Sequence, residues 1–168
     1  VNHLGDMVYE DWVPKDSVLR NRQELNAIFF HTIIHEFGHN FHQKVPYSTE
    51  FNQITGNNYL GGMYTSEFEN ANDPQVQAMG FVTAYASYSA DEDFAETFST
   101  YLCSTTEEFQ ALLDRAGATG KNKIQAKLRI VKDYFLKNWN LDMDALRDAI
   151  QKREALIATV DFDDITLK

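Results

Sequence analysis

The sequence predicts a mainly α domain, and three observations lead there. One helical run extends from about Glu24 to about Gln43. A second covers Asp91 to about Leu102, and three more fill the stretch from Thr105 to Ala158. Each carries apolar residues at the i, i+3, i+4, i+7 spacing that gives a helix one buried face. The 168 residues suit a single domain, 1–168, with a sizeable core, and 43% hydrophobic with 13% aromatic content is the composition of a globular chain. A minor β or irregular part is expected at the N-terminus.

Residues 1 to about 19 read as irregular. Val8, Tyr9, Trp12 and Val13 could form a short strand or packed arm, which Pro14 ends. Asp16 or Ser17 is placed to cap a helix near Val18, and Asn21 and Asn26 weaken its join to the next run. In that run Phe30, Ile33, Ile34, Phe37 and Phe41 make the expected buried stripe. At 100° per residue, His35 and His39 project from nearly the opposite side, toward a cleft. Lys44-Val45-Pro46 stops the helix.

From Tyr47 to about Asp73 the chain reads as a long loop. Gly56-Asn57-Asn58, Gly61-Gly62 and Asn70 to Pro74 are its turn signals, and it could carry substrate contacts or a lid. In the helix from Asp91, the residues Phe94, Ala95, Phe98, Tyr101 and Leu102 form the apolar stripe, with Ser89 and Glu92 spaced as a capping box. Thr105 to Glu108 opens a helix to about Ala116. Gly117 stops it, and Gly120 is expected in the following turn. The next helix spans about Lys121 to Asn138, with Ile124, Leu128, Val131, Phe135 and Leu136 inward. The last runs from about Asp142 to Ala158, opened by Asp142 or Asp144. The tail from Val160 to Lys168 alternates as an edge strand or loose end would.

The chemistry is concentrated in His35-Glu36-Phe37-Gly38-His39, an H-E-x-x-H pattern inside the first clear helix. Residues four apart on a helix share a face, so the two imidazoles can bind one zinc ion. Glu36, offset by one position, stands at the general-base position of a zinc hydrolase. The alternative is a pair of surface histidines on an amphipathic helix. The formal net charge of -10, with no basic cluster, argues against nucleic acid or an anionic membrane as the main partner. The single cysteine, Cys103, excludes an internal disulfide and a Cys-x-x-Cys metal knuckle. No apolar run reaches the ~20 residues of a membrane-spanning helix, and no signal peptide is visible. The chain opens at Val1 without an initiator Met, as a mature or trimmed domain would.

Two histidines do not complete a catalytic zinc site, which ordinarily has three protein ligands. The H-E-x-x-H-x-x-G-x-x-H continuation fails here, because His42 and Val45 occupy the positions of its Gly and last His. A carboxylate from a second helix is the natural alternative. Glu92 and Glu96 lie four apart on one face of the second helix. His31 and His42 share the histidine face; the motif assigns them no role, and they are expected to line the cleft or be exposed.

The segment Glu92-Asp93-Phe94-Ala95-Glu96-Thr97-Phe98 resembles the E-x-F-A-E-x-F helix of a gluzincin group. That group includes the anthrax lethal factor protease domain and the clostridial proline-proline endopeptidases. Paired with the HEFGH motif, it more closely resembles the zinc metallopeptidase lipoproteins of Bacteroidetes. The resemblance covers the two motif helices and the helical plan. It implies a zincin-like domain that binds Zn2+ through His35, His39 and Glu92, with Glu96 hydrogen-bonding one of the ligands. It also implies a tyrosine seven residues before the ligand, Tyr85, directed at the substrate carbonyl. Tyr88 is its rival, and both tyrosines could instead only pack.

The expected function is therefore zinc-dependent hydrolysis of peptide bonds in a peptide or protein substrate, with Glu36 as general base and Tyr85 supporting the oxyanion. The resemblance further implies an exported protein, either a cell-envelope lipoprotein or extracellular. It would stand near outer-membrane nutrient importers and touch the membrane only through a lipid anchor absent from this chain. Two other classes remain open: a non-catalytic zinc-containing module of such an import system, and a zinc hydrolase of a non-protein amide.

Overall fold

The structure is a computed structural model and describes residues 30–56, 58–61 and 72–157. The expected N-terminal arm, the helix near Val18, residues 62–71 of the long segment and the tail from Val160 lie outside these residues. In chain order the described helices are α1 (His31–Lys44), α2 (Glu50–Thr55), α3 (Pro74–Met79), a 3-10 turn (Tyr85–Ser87), α4 (Ala90–Cys103), α5 (Thr106–Arg115), α6 (Gly117–Trp139) and α7 (Met143–Ile157). Among the described residues there is no strand, in keeping with the mainly α expectation.

The central element is α4. It packs against α1, α2, α6, α7 and the 3-10 turn, and every residue from Asp93 to Cys103 is buried. Its start follows from the sequence: the Ser89 hydroxyl accepts from Glu92 N–H at 3.3 Å. The other half of the expected capping box is absent, because the Glu92 carboxylate points to α1 instead. Where α4 reads as one apolar stripe, the structure buries its polar side as well, because α1 covers it. Ser99 then satisfies its hydroxyl internally, on Ala95 C=O at 2.9 Å.

The core is aromatic. Phe94 is fully buried and stacks on Tyr47 at 4.4 Å and 10° between ring planes. Phe98 stacks on Phe135 of α6 at 4.2 Å, and Phe41 of α1 meets the edge of Phe135 at 5.1 Å. Such pairs each contribute about 0.5–1.5 kcal/mol beyond their buried area.

The orientation of α1 departs from the expected one. The buried positions of this helix are His35 and Gly38, and Phe37 is 54% exposed. Ile34 and Phe41 flank the contact with the core, but the histidine face itself turns inward onto α4. The reason is steric. A Cβ on Gly38 would lie 3.1 Å from Ala95 Cα, tighter than an ordinary contact, so the glycine favours this close approach of the two helices. Leu136, also expected inward, is 55% exposed.

The segment read as a loop contains one short helix, α2, and leads directly into another, α3. In α2, Phe51 is fully buried in the core. In α3, the Asp73 carboxylate caps Gln75 N–H at 2.8 Å and Pro74 takes the first turn, so the Asp-Pro pair is a helix start rather than a loop signal. Tyr47 and Tyr59 tie the segment to α4 by donating to Asp91 at 2.7 Å and Asp93 at 2.8 Å. Leu60 and Gly61 donate their backbone N–H groups to Ser87 and Tyr88 carbonyls at 2.7 and 2.9 Å.

Downstream, the capping box of Thr105 and Glu108 is complete, and the Asp142 carboxylate opens α7 by accepting from Asp144 N–H at 2.9 Å. α6 begins at Gly117, earlier than expected, and contains Gly120. This glycine is a contact and not a turn: a Cβ there would lie 2.2 Å from Gln77 O and 2.9 Å from Ala78 Cα. Gly120→Ala should force α3 from α6, costing about 2–3 kcal/mol and lowering Tm by roughly 5–10 °C. Thermal unfolding checks it, and an unchanged Tm would show that α3 yields freely.

Candidate metal centre

Three side chains on two helices converge. His35 Nε2 and His39 Nε2 lie 3.0 Å apart, and Glu92 Oε2 is 3.0 Å from the first and 3.2 Å from the second. The histidines come from successive turns of α1, and Glu92 from the first turn of α4. The predicted residues His35, His39 and Glu92 are thus brought together, across the contact that Gly38 permits.

The arrangement fits a metal ion. Donors bound at about 2.0–2.1 Å to a tetrahedral ion stand about 3.3 Å from one another, close to the spacing observed. Three lone-pair atoms at mutual contact also repel unless a cation or a shared proton lies among them. Two imidazoles and a carboxylate are the nitrogen and oxygen donors of a zinc site. Among the described residues these three form a group whose donor atoms lie close enough together to hold a metal ion.

The surroundings favour positive charge. His35 Nδ1 is 2.7 Å from Glu96 Oε1. Burial would lower the His35 pKa, but this contact and the charges of Glu96, Glu92 and Glu36 hold it above its ordinary value. Burial would likewise raise Glu96, yet it is held below its ordinary value by His35, by His31 and by the Thr83 hydroxyl, which donates to Oε2 at 2.6 Å. Thr83 belongs to no motif and lies 13 residues from Glu96 in sequence, so no sequence signal pointed to it.

Glu36 lies on the exposed flank of α1, beside the cluster. Tyr85, on the 3-10 turn, has its ring 5.9 Å from that of His35 and feels the Glu92 charge. Burial and the Glu92 charge push its phenol up to about 12. Tyr88 stacks on Tyr85 at 6.1 Å and 17° between ring planes. Both tyrosines are 43% exposed.

His31 and His42 are half-buried and have polar partners. His31 Nε2 meets Ser99 Oγ at 3.1 Å and Thr100 Oγ1 at 3.3 Å, with Glu96 Oε2 at 3.7 Å, and burial lowers its pKa. His42 Nε2 lies 2.9 Å from His39 Nδ1, with its ring among Tyr47 and Phe94. The signal for this contact was available: His42 follows His39 by three positions, on the same helix face.

Next to the ligand cluster, Asp93 and Lys127 form a fully buried ion pair at 2.5 Å. Lys127 also donates to Gly80 C=O at 2.8 Å and lies over the Phe81 ring, 4.2 Å from its centroid. Burial raises the Asp93 carboxyl to about 6 against the pull of Lys127. Neither residue stood out in the sequence, since a lysine in an amphipathic helix reads as solvated.

Comparison with known proteins agrees with this geometry. A family described as "Putative zinc-binding metallo-peptidase" matches residues 12–144. A crystal structure at 2.10 Å resolution of a protein so described, from Bacteroides caccae ATCC 43185, is 32% identical and superimposes with a TM-score of 0.80. The match covers 93% of this chain and 57% of that one, so this chain spans little more than half the length of that relative. No curated protein matches. With the family match extending over most of its length and through both α1 and α4, the chain belongs to the zinc-binding metallo-peptidase family so described.

Proposed function

We propose that this chain hydrolyses peptide bonds with a zinc ion held by His35, His39 and Glu92. The observation that carries the reading is the convergence of those three donor atoms at 3.0–3.2 Å with Glu36 beside them. When bound, zinc supplies Lewis acidity toward a carbonyl and lowers the pKa of water toward ~7.

The protein's own groups divide the remaining work. Glu36 is exposed on the turn that carries His35, where its carboxylate can take a proton from the attacking water and later hand it to the leaving amine. Glu96 holds His35 at Nδ1, which leaves Nε2 as the donor. Tyr85, whose ring lies 5.9 Å from that of His35, supplies the phenol that would donate to the oxygen that gains charge as the carbonyl becomes tetrahedral. The exposed ring of Phe37 flanks Glu36 and leaves an apolar surface next to the chemistry.

The resemblance to Bacteroidetes lipoproteins supports an exported setting at the cell envelope, near nutrient importers. Zinc-loaded protein incubated with a proteome-derived peptide library tests the activity. Cleavage absent from Glu36→Gln supports it, and intact peptides throughout would favour a binding module or a non-protein amide as substrate.

Three variants assign the roles. Glu92→Gln should lose the metal, whereas Glu96→Gln should keep it with affinity lower by about 10–100-fold. Metal analysis after dialysis reads both, and the reverse order would move the ligand by one turn of α4. Glu36→Gln should keep zinc and fold while hydrolysis disappears, because it keeps its size and loses only the proton-accepting charge. Full activity in this variant would sink the base assignment. Tyr85→Phe should lower kcat and kcat/KM together by about 10²–10³-fold, with zinc content unchanged. Tyr88→Phe is the matched control and should change little; the opposite pattern would exchange the two roles.

A further inference from the structure

His39 uses both ring nitrogens. Nε2 belongs to the donor cluster, 3.0 Å from His35 Nε2 and 3.2 Å from Glu92 Oε2. Nδ1 lies 2.9 Å from Nε2 of His42. At that separation one of the two facing nitrogens carries a hydrogen and the other must be bare. A ring nitrogen that binds a metal offers a lone pair, so a neutral His39 keeps its proton on Nδ1. His39 Nδ1–H then donates and His42 Nε2 accepts.

We infer that His42 is a positioning residue for metal binding: its bare Nε2 holds the His39 proton at Nδ1 and so keeps His39 Nε2 available to the ion. The inference rests on the reading of His39 as a ligand. If His42 instead presented a hydrogen at Nε2, two N–H groups would oppose each other across 2.9 Å. His39 would have to move its proton to Nε2 or turn its ring away, and either change removes a donor from the cluster.

The surroundings of His42 keep its ring in place. It meets Tyr47 at 5.6 Å and 84°, and Phe94 at 5.7 Å and 78°, edge-on to both. Those two rings stack on each other, and the Tyr47 hydroxyl is tied to Asp91 at 2.7 Å. The two ligating histidines are therefore held differently. His35 faces a carboxylate, which can only accept when ionised, while His39 faces an imidazole, whose own tautomer must be the right one.

Two measurements on the whole chain test this. The first is NMR of the ring nitrogens in zinc-loaded, ¹⁵N-histidine-labelled wild type. The expected result is a proton on Nδ1 of both His39 and His42; a proton on His42 Nε2 overturns the inference. The second is zinc affinity by competition with a chromophoric chelator. His42→Phe keeps a ring between Tyr47 and Phe94 but removes the acceptor, and should bind zinc about 10–100-fold more weakly. His42→Gln, whose amide oxygen can accept at the same place, should recover most of that loss. Wild-type affinity in His42→Phe rejects the role of His42. His39→Ala separates the two levels: if it holds zinc as tightly as wild type, the ligand assignment itself fails and the inference fails with it. Should His42→Phe not fold, the wild-type tautomers and His42→Gln still decide.

Discussion

The close contact of α1 with α4 is the constraint on which the rest depends. Gly38 faces Ala95 so tightly that even a methyl group would press on the opposing backbone. This approach places donors from two helices within one coordination sphere. A larger residue at either position would widen the gap, and a carboxylate side chain has little reach to spare. Packing at small residues, which contributes modestly to the hydrophobic core, here sets the geometry of the polar centre. The aromatic cluster of Phe41, Phe94, Phe98 and Phe135 holds the same two helices together from behind.

The first turn of α4 shows how one local sequence serves several partners. Asp91, Glu92 and Asp93 are consecutive acids, which suits a helix N-terminus because the unpaired N–H groups there carry partial positive charge. Successive helical positions diverge by about 100°, so the three carboxylates point in different directions. Asp91 takes Tyr47, Glu92 reaches His35 and His39, and Asp93 turns into the core toward Lys127 and Tyr59. The buried Asp93–Lys127 pair anchors the turn that carries Glu92 to α6. Removing one partner of such a pair costs about 3–5 kcal/mol, because the other is left charged and unpaired. The metal centre is thus fastened on one side by a small-residue contact and on the other by a buried charge pair.

The polar face of α1 explains why hydropathy misjudged its orientation. His31, His35, Gly38 and His42 follow a helical repeat, yet no hydrophobicity scale counts them as core. Burial is favourable here because the polar atoms find partners: Ser99 and Thr100 for His31, Glu96 for His35, and His39 for His42. Phe37, next to Glu36, is left outside. An exposed aromatic beside a polar, buried cluster is the reverse of an ordinary amphipathic helix, and this inversion marks the functional face.

Local features were legible in the sequence because their causes are local. The two motif helices, the Ser89 cap, the capping box at Thr105 and Glu108, and the Asp142 start all depend on residues within one turn of each other. The i, i+4 histidine pair likewise needs only helical geometry. The spacing of the two glutamates, in contrast, placed them on one face without saying which would reach the cluster; the resemblance supplied that choice, and the crossing of α1 over the start of α4 accounts for it. Tertiary structure alone decided that the histidine face turns inward, that Gly120 is a helix contact, that Asp93 and Lys127 pair in the core, and that His42 meets His39 while Thr83 meets Glu96. Periodicity records which residues share a face of a helix. Which face is covered, and by what, depends on the shape of the neighbour, and that information is distributed over residues far apart in the chain.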